Sequence, residues 1–311
     1  MMMTILFYSE SDDPNPWRQA LMRELPGIAF RVWPDIGEAG EILYALVWKP
    51  PPGLLKTLPN LRAILSLGAG VDGILRDPEL PRAVPVVRLV DAGLAQQMSE
   101  YALYGVLHFH RDMHRYAEQQ RSSQWRALAP VAAGERRIGV MGLGVLGSDF
   151  VAKLVPLGFR VLGFSRTPRA LPGVTVFHGD LGLHPFLAES EILVNFLPLT
   201  PQTERILNAQ TLAWLPRGAC IVNIARGGHV DEEALLAALD AGQVGGALLD
   251  VYDREPLPAA HRFWRHPRVF VTPHIAAQAI AELAVSQVIE NIRRIERGDQ
   301  PLGVVGVERG Y

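Results

Sequence analysis

The chain has 311 residues, with 30 Lys and Arg against 32 Asp and Glu, 49% hydrophobic residues and one cysteine, Cys220. This near-neutral charge excludes a strongly basic nucleic-acid-binding or membrane-surface protein, and a lone cysteine excludes an internal disulfide and a cysteine-rich zinc site. The length predicts one large or two medium domains. The apolar runs are too short to span a bilayer, and the amino terminus is typical of a first strand rather than a secretory signal. We therefore expect a cytoplasmic protein without nucleic-acid or membrane partners.

The first part of the chain alternates short apolar runs with helical or turn segments such as Trp17–Leu25 and Gly53–Leu58. The runs that predict strands are Thr4–Ser9, Ile28–Trp33, Ala45–Trp48, Leu61–Leu67 and Val84–Val90. A proline-free segment, Gly93–Gln120, then carries apolar residues at helical spacing. Arg121–Gly134 breaks that pattern and is typical of a linker or surface loop.

The second part of the chain shows the same alternation more clearly. The runs that predict buried strands are Ile138–Met141, Arg160–Phe164, Ile192–Leu197, Ala219–Ile224, Gly246–Val251 and Val269–Thr272. Helices are predicted over Val145–Leu157 and Asp231–Ala241, and a last helix from Ala276 to about Gly298. Nearly continuous apolar strands that alternate with helices indicate parallel sheets covered on both faces, so the predicted class is α/β with doubly wound, Rossmann-like domains.

A glycine-rich turn follows the predicted strand Ile138–Met141 and opens the next helix. Its residues are Gly142, Leu143, Gly144, Val145, Leu146 and Gly147. The first glycine permits a tight turn, the second lets the backbone approach a pyrophosphate, and the third allows the helix to pack closely on the strand. The phosphates then lie at the amino terminus of the helix. This context favours a dinucleotide site over a turn with only a structural role.

The end of the following strand indicates which dinucleotide binds. In this fold a carboxylate about 20 residues after the glycines binds the ribose hydroxyls, whereas an arginine accommodates a 2′-phosphate. This chain has Ser165, Arg166, Thr167 and Arg169 at that place, with no acidic residue among them. We therefore expect NADP(H) to be preferred, with NAD(H) possible. The alternative is that Arg166 is a solvated side chain of a polar loop.

Three side chains follow the last three predicted strands, where a doubly wound sheet places its ligand crevice. They are Arg226, Glu255 and His274. An arginine can bind a carboxylate with two hydrogen bonds, a histidine exchanges a proton near neutral pH, and a neighbouring glutamate orients the imidazole and stabilises its charged form. Each residue alone has a structural alternative. Arg226 could pair with a helix C-terminus, Glu255 could be a surface residue, and His274 could be a capping residue. Their joint occurrence favours the chemistry of 2-oxo acid reduction.

The remaining histidines do not indicate a metal site. His110 and His114 share a helix face, but no third ligand accompanies them in the sequence, so we expect no bound metal. The histidines in polar or turn-like stretches, which we expect at the surface, are His178, His184, His229, His261 and His266.

Five motifs in a fixed order carry a resemblance to a known family. They are Gly142–Gly147, Phe196–Thr203, Val222–Gly228, Leu249–Leu257 and Thr272–His274. Over essentially its whole length the chain resembles the D-isomer-specific 2-hydroxyacid dehydrogenases. Within that family it is most similar to the bacterial glyoxylate/hydroxypyruvate reductase A branch, by Trp48–Pro51, Leu67–Asp72, Ser165–Thr167 and the terminal Arg309–Tyr311.

The resemblance implies roles for the matching residues. Arg226 would bind the substrate carboxylate and polarise its ketone, His274 would be the general acid/base, and Glu255 would be the partner of that histidine. The implied cofactor contacts beyond the glycine-rich turn and Ser165–Thr167 are Leu197, Pro198, Thr203, Ile224, Ala225, Asp250 and Ala276. The implied substrate contacts in the first domain are Trp48, Ala69 and Gly70.

The resemblance also implies an activity, the NADPH-dependent reduction of glyoxylate to glycolate and of hydroxypyruvate to glycerate, with His274 as the proton donor. Two alternatives stay open. One is a dehydrogenase for another 2-hydroxy acid, such as phosphoglycerate or a bulkier acid, and the other is a non-catalytic dinucleotide-sensing protein of the same fold. The sequence ranks neither the small acids nor the physiological direction.

The motifs predict a discontinuous division of the chain. Residues 93–275 would form the dinucleotide-binding Rossmann domain, and residues 1–92 with 276–311 would form a flavodoxin-like substrate domain, with a cleft between the two. The segment Gly93–Gln120 carries more apolar residues than one buried stripe requires, and the resembled family uses such helices for dimer contacts. We therefore expect a homodimer; an apolar helix wedged between the domains is the alternative.

Overall fold

The computed structural model describes residues 3–306 of the chain. These form two compact units, one made of residues 3–94 with 278–306 and the other of Ala95–Ala277. The strands are β1 (Thr4–Tyr8), β2 (Ala29–Val32), β3 (Ile42–Val47), β4 (Ala63–Ser66), β5 (Val86–Val87), β6 (Arg137–Met141), β7 (Arg160–Ser165), β8 (Val174–His178), β9 (Ile192–Asn195), β10 (Ala219–Asn223), β11 (Val244–Leu249) and β12 (Val269–Val271). The α-helices are α1 (Pro14–Glu24), α2 (Asp72–Leu75), α3 (Leu94–His110), α4 (Met113–Arg121), α5 (Val145–Leu154), α6 (Gly179–Glu189), α7 (Ala209–Trp214), α8 (Glu232–Asp240) and α9 (Ala281–Glu296).

The first unit contains a five-stranded parallel sheet in the order β2-β1-β3-β4-β5. This is the strand order of flavodoxin-like folds. Strand β3 lies in the middle of the sheet and every residue of it is buried, which explains its uninterrupted apolar sequence. Helix α1 buries Trp17, Ala20 and Leu21. It contacts α9, whose buried residues recur at helical spacing.

The second unit contains a seven-stranded parallel sheet in the order β12-β11-β10-β9-β6-β7-β8. The chain runs outward from β6 to β8, returns to β9 on the other side of β6, and then runs outward again to β12. A ligand crevice in such a sheet lies at the carboxyl ends of the strands, where the direction reverses. The predicted α/β class with two doubly wound parallel sheets is confirmed.

The predicted helical segment Gly93–Gln120 is two helices rather than one. Helix α3 ends at His110, and Asp112 adopts a left-handed backbone conformation with φ of 55° before α4 begins. Aspartate tolerates this conformation better than most residues, because its short polar side chain can bond locally. Apolar periodicity continues across the break, so the sequence pattern did not reveal it.

Three elements of the second unit have no counterpart among the predicted ones, namely β8, α6 and α7. Strand β8 lies at the edge of the sheet and is half exposed, so it lacks the continuous apolar run of a buried strand. Helix α6 contains Pro185, a residue type that is unfavourable inside a helix.

The last helix begins later than predicted. Helix α9 starts at Ala281 rather than at Ala276. The backbone N–H of Ala276 donates to the Asp250 carboxylate, 2.8 Å away, instead of entering a helix. Helix α9 is followed by Gly298 with a positive φ of 79°.

Cys220 is buried in β10, as expected for an inert thiol, and burial raises its pKa to about 12. No helix within residues 3–306 has the length and apolar character needed to cross a membrane. The terminal motif Arg309–Tyr311 lies outside the described residues.

His114, which is partly buried, makes the second unit sensitive to acid. Its ring lies edge-on to Phe109, with 5.2 Å between centroids, and burial, with the nearby His108 in second place, lowers its pKa from 6.5 to about 4. Because the unfolded chain binds this proton more readily, stability is full above pH 6.5 and is lost as the pH falls towards 4. We expect protonation of His114 alone to lower the free energy of unfolding by about 1 to 3 kcal/mol between pH 6.5 and pH 4.

Urea unfolding of His114→Leu and of the wild type between pH 7 and pH 4 measures this effect. The variant should lose less stability on acidification than the wild type. The matched control is His178→Leu, because His178 is exposed and its replacement should leave the acid loss unchanged. Equal acid losses in His114→Leu and the wild type would contradict the expectation.

Candidate active site

The glycine-rich turn joins β6 to α5. At two of its glycines, Gly142 and Gly147, the surrounding atoms leave no room for a side chain. Gly142 has φ of 95°, and a Cβ there would lie 2.9 Å from the Phe196 carbonyl oxygen. A Cβ on Gly147 would lie 1.9 Å from the Gly142 oxygen. In contrast, a Cβ on Gly144, the N-cap residue of α5, would meet nothing within 4 Å. The amino terminus of α5 is therefore open to an anionic group such as a pyrophosphate.

The loop after β7 provides donors and no carboxylate. Ser165 is buried, and its hydroxyl donates to the Thr167 carbonyl oxygen at 2.7 Å. Arg166 and Thr167 are exposed. The Arg169 guanidinium donates to the Leu143 carbonyl oxygen, which ties this loop to the glycine-rich turn. Ser165 and Arg169 thus shape the loop, while Arg166 and Thr167 lie at its surface.

Two buried asparagines connect the ends of β9 and β10, the strands that lie on the side of β6 opposite β7. Asn195 ends β9 and Asn223 ends β10, and the Asn195 side-chain amide donates to Asn223 Oδ1 at 3.1 Å. Asn195 Oδ1 accepts the N–H of Leu197 at 3.0 Å, and Asn223 Oδ1 accepts that of Ala225 at 3.3 Å. One side-chain pair therefore fixes both loops that carry expected cofactor contacts.

The loop after β9 is closed by hydroxyl groups. Thr203 Oγ1 donates to the Pro198 carbonyl oxygen at 2.7 Å and accepts the N–H of Thr200 at 2.8 Å. These bonds hold the backbone of Leu197 and Pro198 at the carboxyl edge of the sheet. In this structure Thr203 has a visible role in shaping the loop.

Arg226 lies in the turn that follows β10. Its Nη1 donates to the Ala225 carbonyl oxygen at 2.7 Å, and its own carbonyl oxygen accepts from the Asn223 side-chain amide at 3.0 Å. A Cβ on the next residue, Gly227, would lie 1.8 Å from the Tyr252 carbonyl carbon. Only glycine fits there, so this turn packs directly on the loop after β11.

His274 and Glu255 form a hydrogen-bonded pair in the loops that follow β12 and β11. His274 Nδ1 lies 2.9 Å from Glu255 Oε2, and the other carboxylate oxygen accepts the N–H of Tyr252 at 3.2 Å. Both side chains are partly exposed. Since Nδ1 donates to the carboxylate, Nε2 is the ring atom left to exchange a proton with a ligand.

Asp250 is fully buried behind this pair. Its carboxylate accepts from Thr272 Oγ1 at 2.6 Å and from the N–H groups of Ile275 and Ala276 at 2.8 Å each. Burial raises the pKa of Asp250, while these hydrogen bonds lower it in part. The His274 N–H donates to the Asp250 carbonyl oxygen at 2.8 Å, so Asp250 holds the backbone of the histidine and of the two residues after it.

The sequence model of the family described as D-isomer specific 2-hydroxyacid dehydrogenase, NAD binding domain, matches residues 103–276 of the 311-residue chain. The chain belongs to this family.

Full-length relatives of this dehydrogenase are known. It is 45% identical over 314 aligned residues to the glyoxylate/hydroxypyruvate reductase A of Yersinia enterocolitica, covering 99% of this chain and 100% of the relative. A solved D-isomer specific 2-hydroxyacid dehydrogenase of Xanthobacter autotrophicus in complex with NADPH and MES is 46% identical, with a TM-score of 0.95 and full coverage of both chains. A solved NADPH-dependent glyoxylate/hydroxypyruvate reductase of Sinorhizobium meliloti in complex with NADP and sulfate is 37% identical, with a TM-score of 0.93, covering 99% of this chain and 100% of that chain.

In the first unit of the dehydrogenase, two of the expected substrate contacts line one recess. Trp48 and Gly70 border it together with Lys49 and Asp72. A Cβ on Gly68 would lie 2.7 Å from the Trp48 ring, so the indole rests directly on the turn that contains Ala69 and Gly70. The structure thus places these residues side by side, and their contact with substrate stays a prediction.

The expectation that His229 is a surface residue is wrong. His229 is fully buried in the dehydrogenase, and its Nδ1 lies 3.1 Å from the Arg226 carbonyl oxygen. It lies in a single 3-10 turn between β10 and α8 that folds inward on Gly227. His229 therefore supports the turn that presents Arg226.

The sequence interpretation also missed the structural roles of Asn195, Asn223 and Thr272. The asparagines each end an apolar strand, and a polar residue at that position is the one feature that could have indicated them. Within residues 3–306 no cluster of three or more His, Cys, Asp or Glu side chains is arranged to hold a metal ion.

Proposed function

We propose that this dehydrogenase catalyses the NADPH-dependent reduction of small 2-oxo acids, glyoxylate to glycolate and hydroxypyruvate to glycerate. The observation that carries the proposal is the His274–Glu255 pair. It follows β12 and β11, which lie beside β10, the strand that precedes Arg226. Purified protein with NADPH and either acid tests it, and steady NADPH consumption is the expected result.

The residues of the second unit fit NADP(H). The open amino terminus of α5 at Gly144 would hold the pyrophosphate, and Arg166 with Thr167 would contact the 2′-phosphate. The backbone of the loops after β9 and β10, at Leu197, Pro198, Ile224 and Ala225, would line the cofactor. When bound, NADPH supplies the hydride that reduces the carbonyl carbon.

The side chains at the strand ends perform the remaining steps. Arg226 binds the substrate carboxylate through two charge-assisted hydrogen bonds and stabilises the negative charge that develops on the carbonyl oxygen. Glu255 keeps the proton on His274 Nδ1 and stabilises the imidazolium form. His274 Nε2 then donates its proton to the carbonyl oxygen. Trp48, Ala69 and Gly70 belong to the same proposal as substrate contacts of the first unit.

Cofactor preference tests the role of Arg166. We expect Arg166→Ala to raise the KM for NADPH by about tenfold or more, because a charge-assisted hydrogen bond to phosphate is lost, and to leave the KM for NADH nearly unchanged. The matched control is Arg160→Ala, since Arg160 is an exposed arginine at the opposite end of the same strand. A wild type that turns over NADH with the lower KM and the higher kcat would contradict the preference.

We propose that the protein is a homodimer through the exposed side of α3. Tyr104, Leu107 and Phe270 are each more than 40% exposed, and the rings of Tyr104 and Phe270 lie 6.2 Å apart. They form an apolar surface of the kind that marks protein interfaces. Light scattering is expected to give twice the chain mass of 34.2 kDa, and a mass of one chain would contradict the proposal. We also propose that the protein is cytoplasmic.

A further inference from the structure

A chain of hydroxyl groups connects α3 to the loop that carries His274. The Tyr101 hydroxyl is hydrogen-bonded to Thr272 Oγ1, and Thr272 Oγ1 lies 2.6 Å from Asp250 Oδ1. All three residues belong to the second unit, and Asp250 is fully buried. The chain therefore ends on a carboxylate that water does not reach.

The direction of these hydrogen bonds follows from the number of protons available. The Asp250 carboxylate accepts from the N–H groups of Ile275 and Ala276, which can only donate. Thr272 has a single hydroxyl proton, and a carboxylate can only accept it. Since that proton points to Asp250, the Tyr101 hydroxyl must donate to Thr272 Oγ1. Tyr101 thus stabilises the ionised form of Asp250 through Thr272.

The conformation of His274 depends on Asp250. His274 has φ of 57°, in the left-handed region that residues other than glycine adopt only when the surrounding structure requires it. Its own N–H donates to the Asp250 backbone, and the next two N–H groups donate to the Asp250 side chain. If the carboxylate shifts, the bonds that hold the histidine in this conformation weaken together.

We propose that Tyr101 is a positioning residue that fixes His274 through Thr272 and Asp250. The inference rests on the proposed role of His274 as proton donor. Burial raises the pKa of Asp250, so hydroxyl donors that stabilise its charged form are needed for the carboxylate to accept all of these hydrogen bonds. The Tyr252 hydroxyl does not take part in the same way, because it lies 2.5 Å from the Leu249 carbonyl oxygen and 3.0 Å from that of Thr272.

The test compares Tyr101→Phe, Thr272→Val and the double variant. Each change keeps the size of the side chain and removes a hydroxyl group. We expect kcat for hydroxypyruvate reduction to fall about tenfold in each single variant, the size of one hydrogen bond. The melting temperature and the Kd for NADPH should stay close to wild-type values. Because the two hydroxyls act in series, the double variant should be no slower than the slower single variant.

The matched control is Tyr116→Phe, in the next helix, α4. The Tyr116 hydroxyl accepts the N–H of Leu128 at 3.0 Å, and Tyr116 belongs neither to the proposed active site nor to the proposed dimer surface. This variant should keep the wild-type kcat. Tyr101→Phe with wild-type kcat, effects that multiply in the double variant, or a loss of NADPH affinity as large as the loss of kcat would each overturn the inference. If instead His274→Ala keeps wild-type turnover, the proposed proton donor itself is wrong, so the two failures are distinguishable.

Discussion

Replacing His274 with alanine is expected to lower kcat for 2-oxo acid reduction by about 10² to 10⁴-fold, the range that a positioned proton donor contributes. The imidazole is the group that Glu255 orients, with 2.9 Å between Nδ1 and Oε2. Affinity for NADPH should stay close to the wild-type value, because the glycine-rich turn and the loop after β7 are far along the sheet from β12. Steady-state kinetics with fluorescence titration of NADPH measures both quantities.

The chain offers a closely matched control for His274. His261 and Glu232 form a second histidine–glutamate pair in the same unit, with 3.2 Å between Nε2 and Oε2. His261 lies outside the set of residues that follow the strand ends, so His261→Gln should keep near-wild-type turnover. A His274→Ala variant that turns over as fast as His261→Gln would contradict the assignment.

The pH dependence gives a further result for the same residue. Reduction requires the charged imidazolium, and oxidation of the hydroxy acid requires the neutral ring. The rate of reduction should therefore fall as the pH rises, while the rate of oxidation should rise. We expect the pH profiles of reduction and oxidation to slope in opposite directions in the wild type. Both slopes should be absent in His274→Ala.

Replacing Arg226 with glutamine is expected to reduce both binding and turnover. Loss of the charge-assisted bonds to the substrate carboxylate should raise KM for hydroxypyruvate about tenfold or more. Loss of charge opposite the developing oxyanion should lower kcat about 10² to 10³-fold. Initial rates over a range of hydroxypyruvate concentrations, at saturating NADPH, separate the two effects.

Two comparison variants make the result specific to Arg226. Arg226→Lys keeps the charge but loses the planar two-bond geometry, so its kinetics should fall between those of the wild type and Arg226→Gln. Arg205→Gln removes an exposed arginine that lies 3.9 Å from Asp231. This variant should keep the wild-type KM and kcat. An Arg226→Gln variant with an unchanged KM would contradict carboxylate binding by this residue.

The sequence predicted those parts of the fold that depend on buried, uninterrupted apolar strands. Every residue of β9 and β10 is buried, and their apolar runs were recognised. Strand β3 is equally buried, but it was predicted only from Ala45 onward. Edge strand β8 was missed because its exposed positions remove the pattern. The break at Asp112 was missed because a single residue with positive φ changes neither composition nor periodicity.

The candidate site shows the same division. Residues that follow strands, such as Arg226, Glu255 and His274, could be located because chain order determines which edge of a parallel sheet they reach. Residues that support them from elsewhere could not. Tyr101 lies in a helix whose apolar spacing suggested packing alone, and His229 lies in a turn that reads as polar although it folds into the interior. The contact between Tyr101 and Thr272 joins residues 171 positions apart, so it depends on tertiary structure.

The most direct test of the central claim is a parallel measurement of kcat/KM, with saturating NADPH, for glyoxylate, hydroxypyruvate, phosphohydroxypyruvate and an aromatic 2-oxo acid. We expect the highest values of kcat/KM for glyoxylate and hydroxypyruvate. Preference for the phosphorylated or the aromatic acid, or NADPH binding without turnover of any of the four, would contradict this expectation.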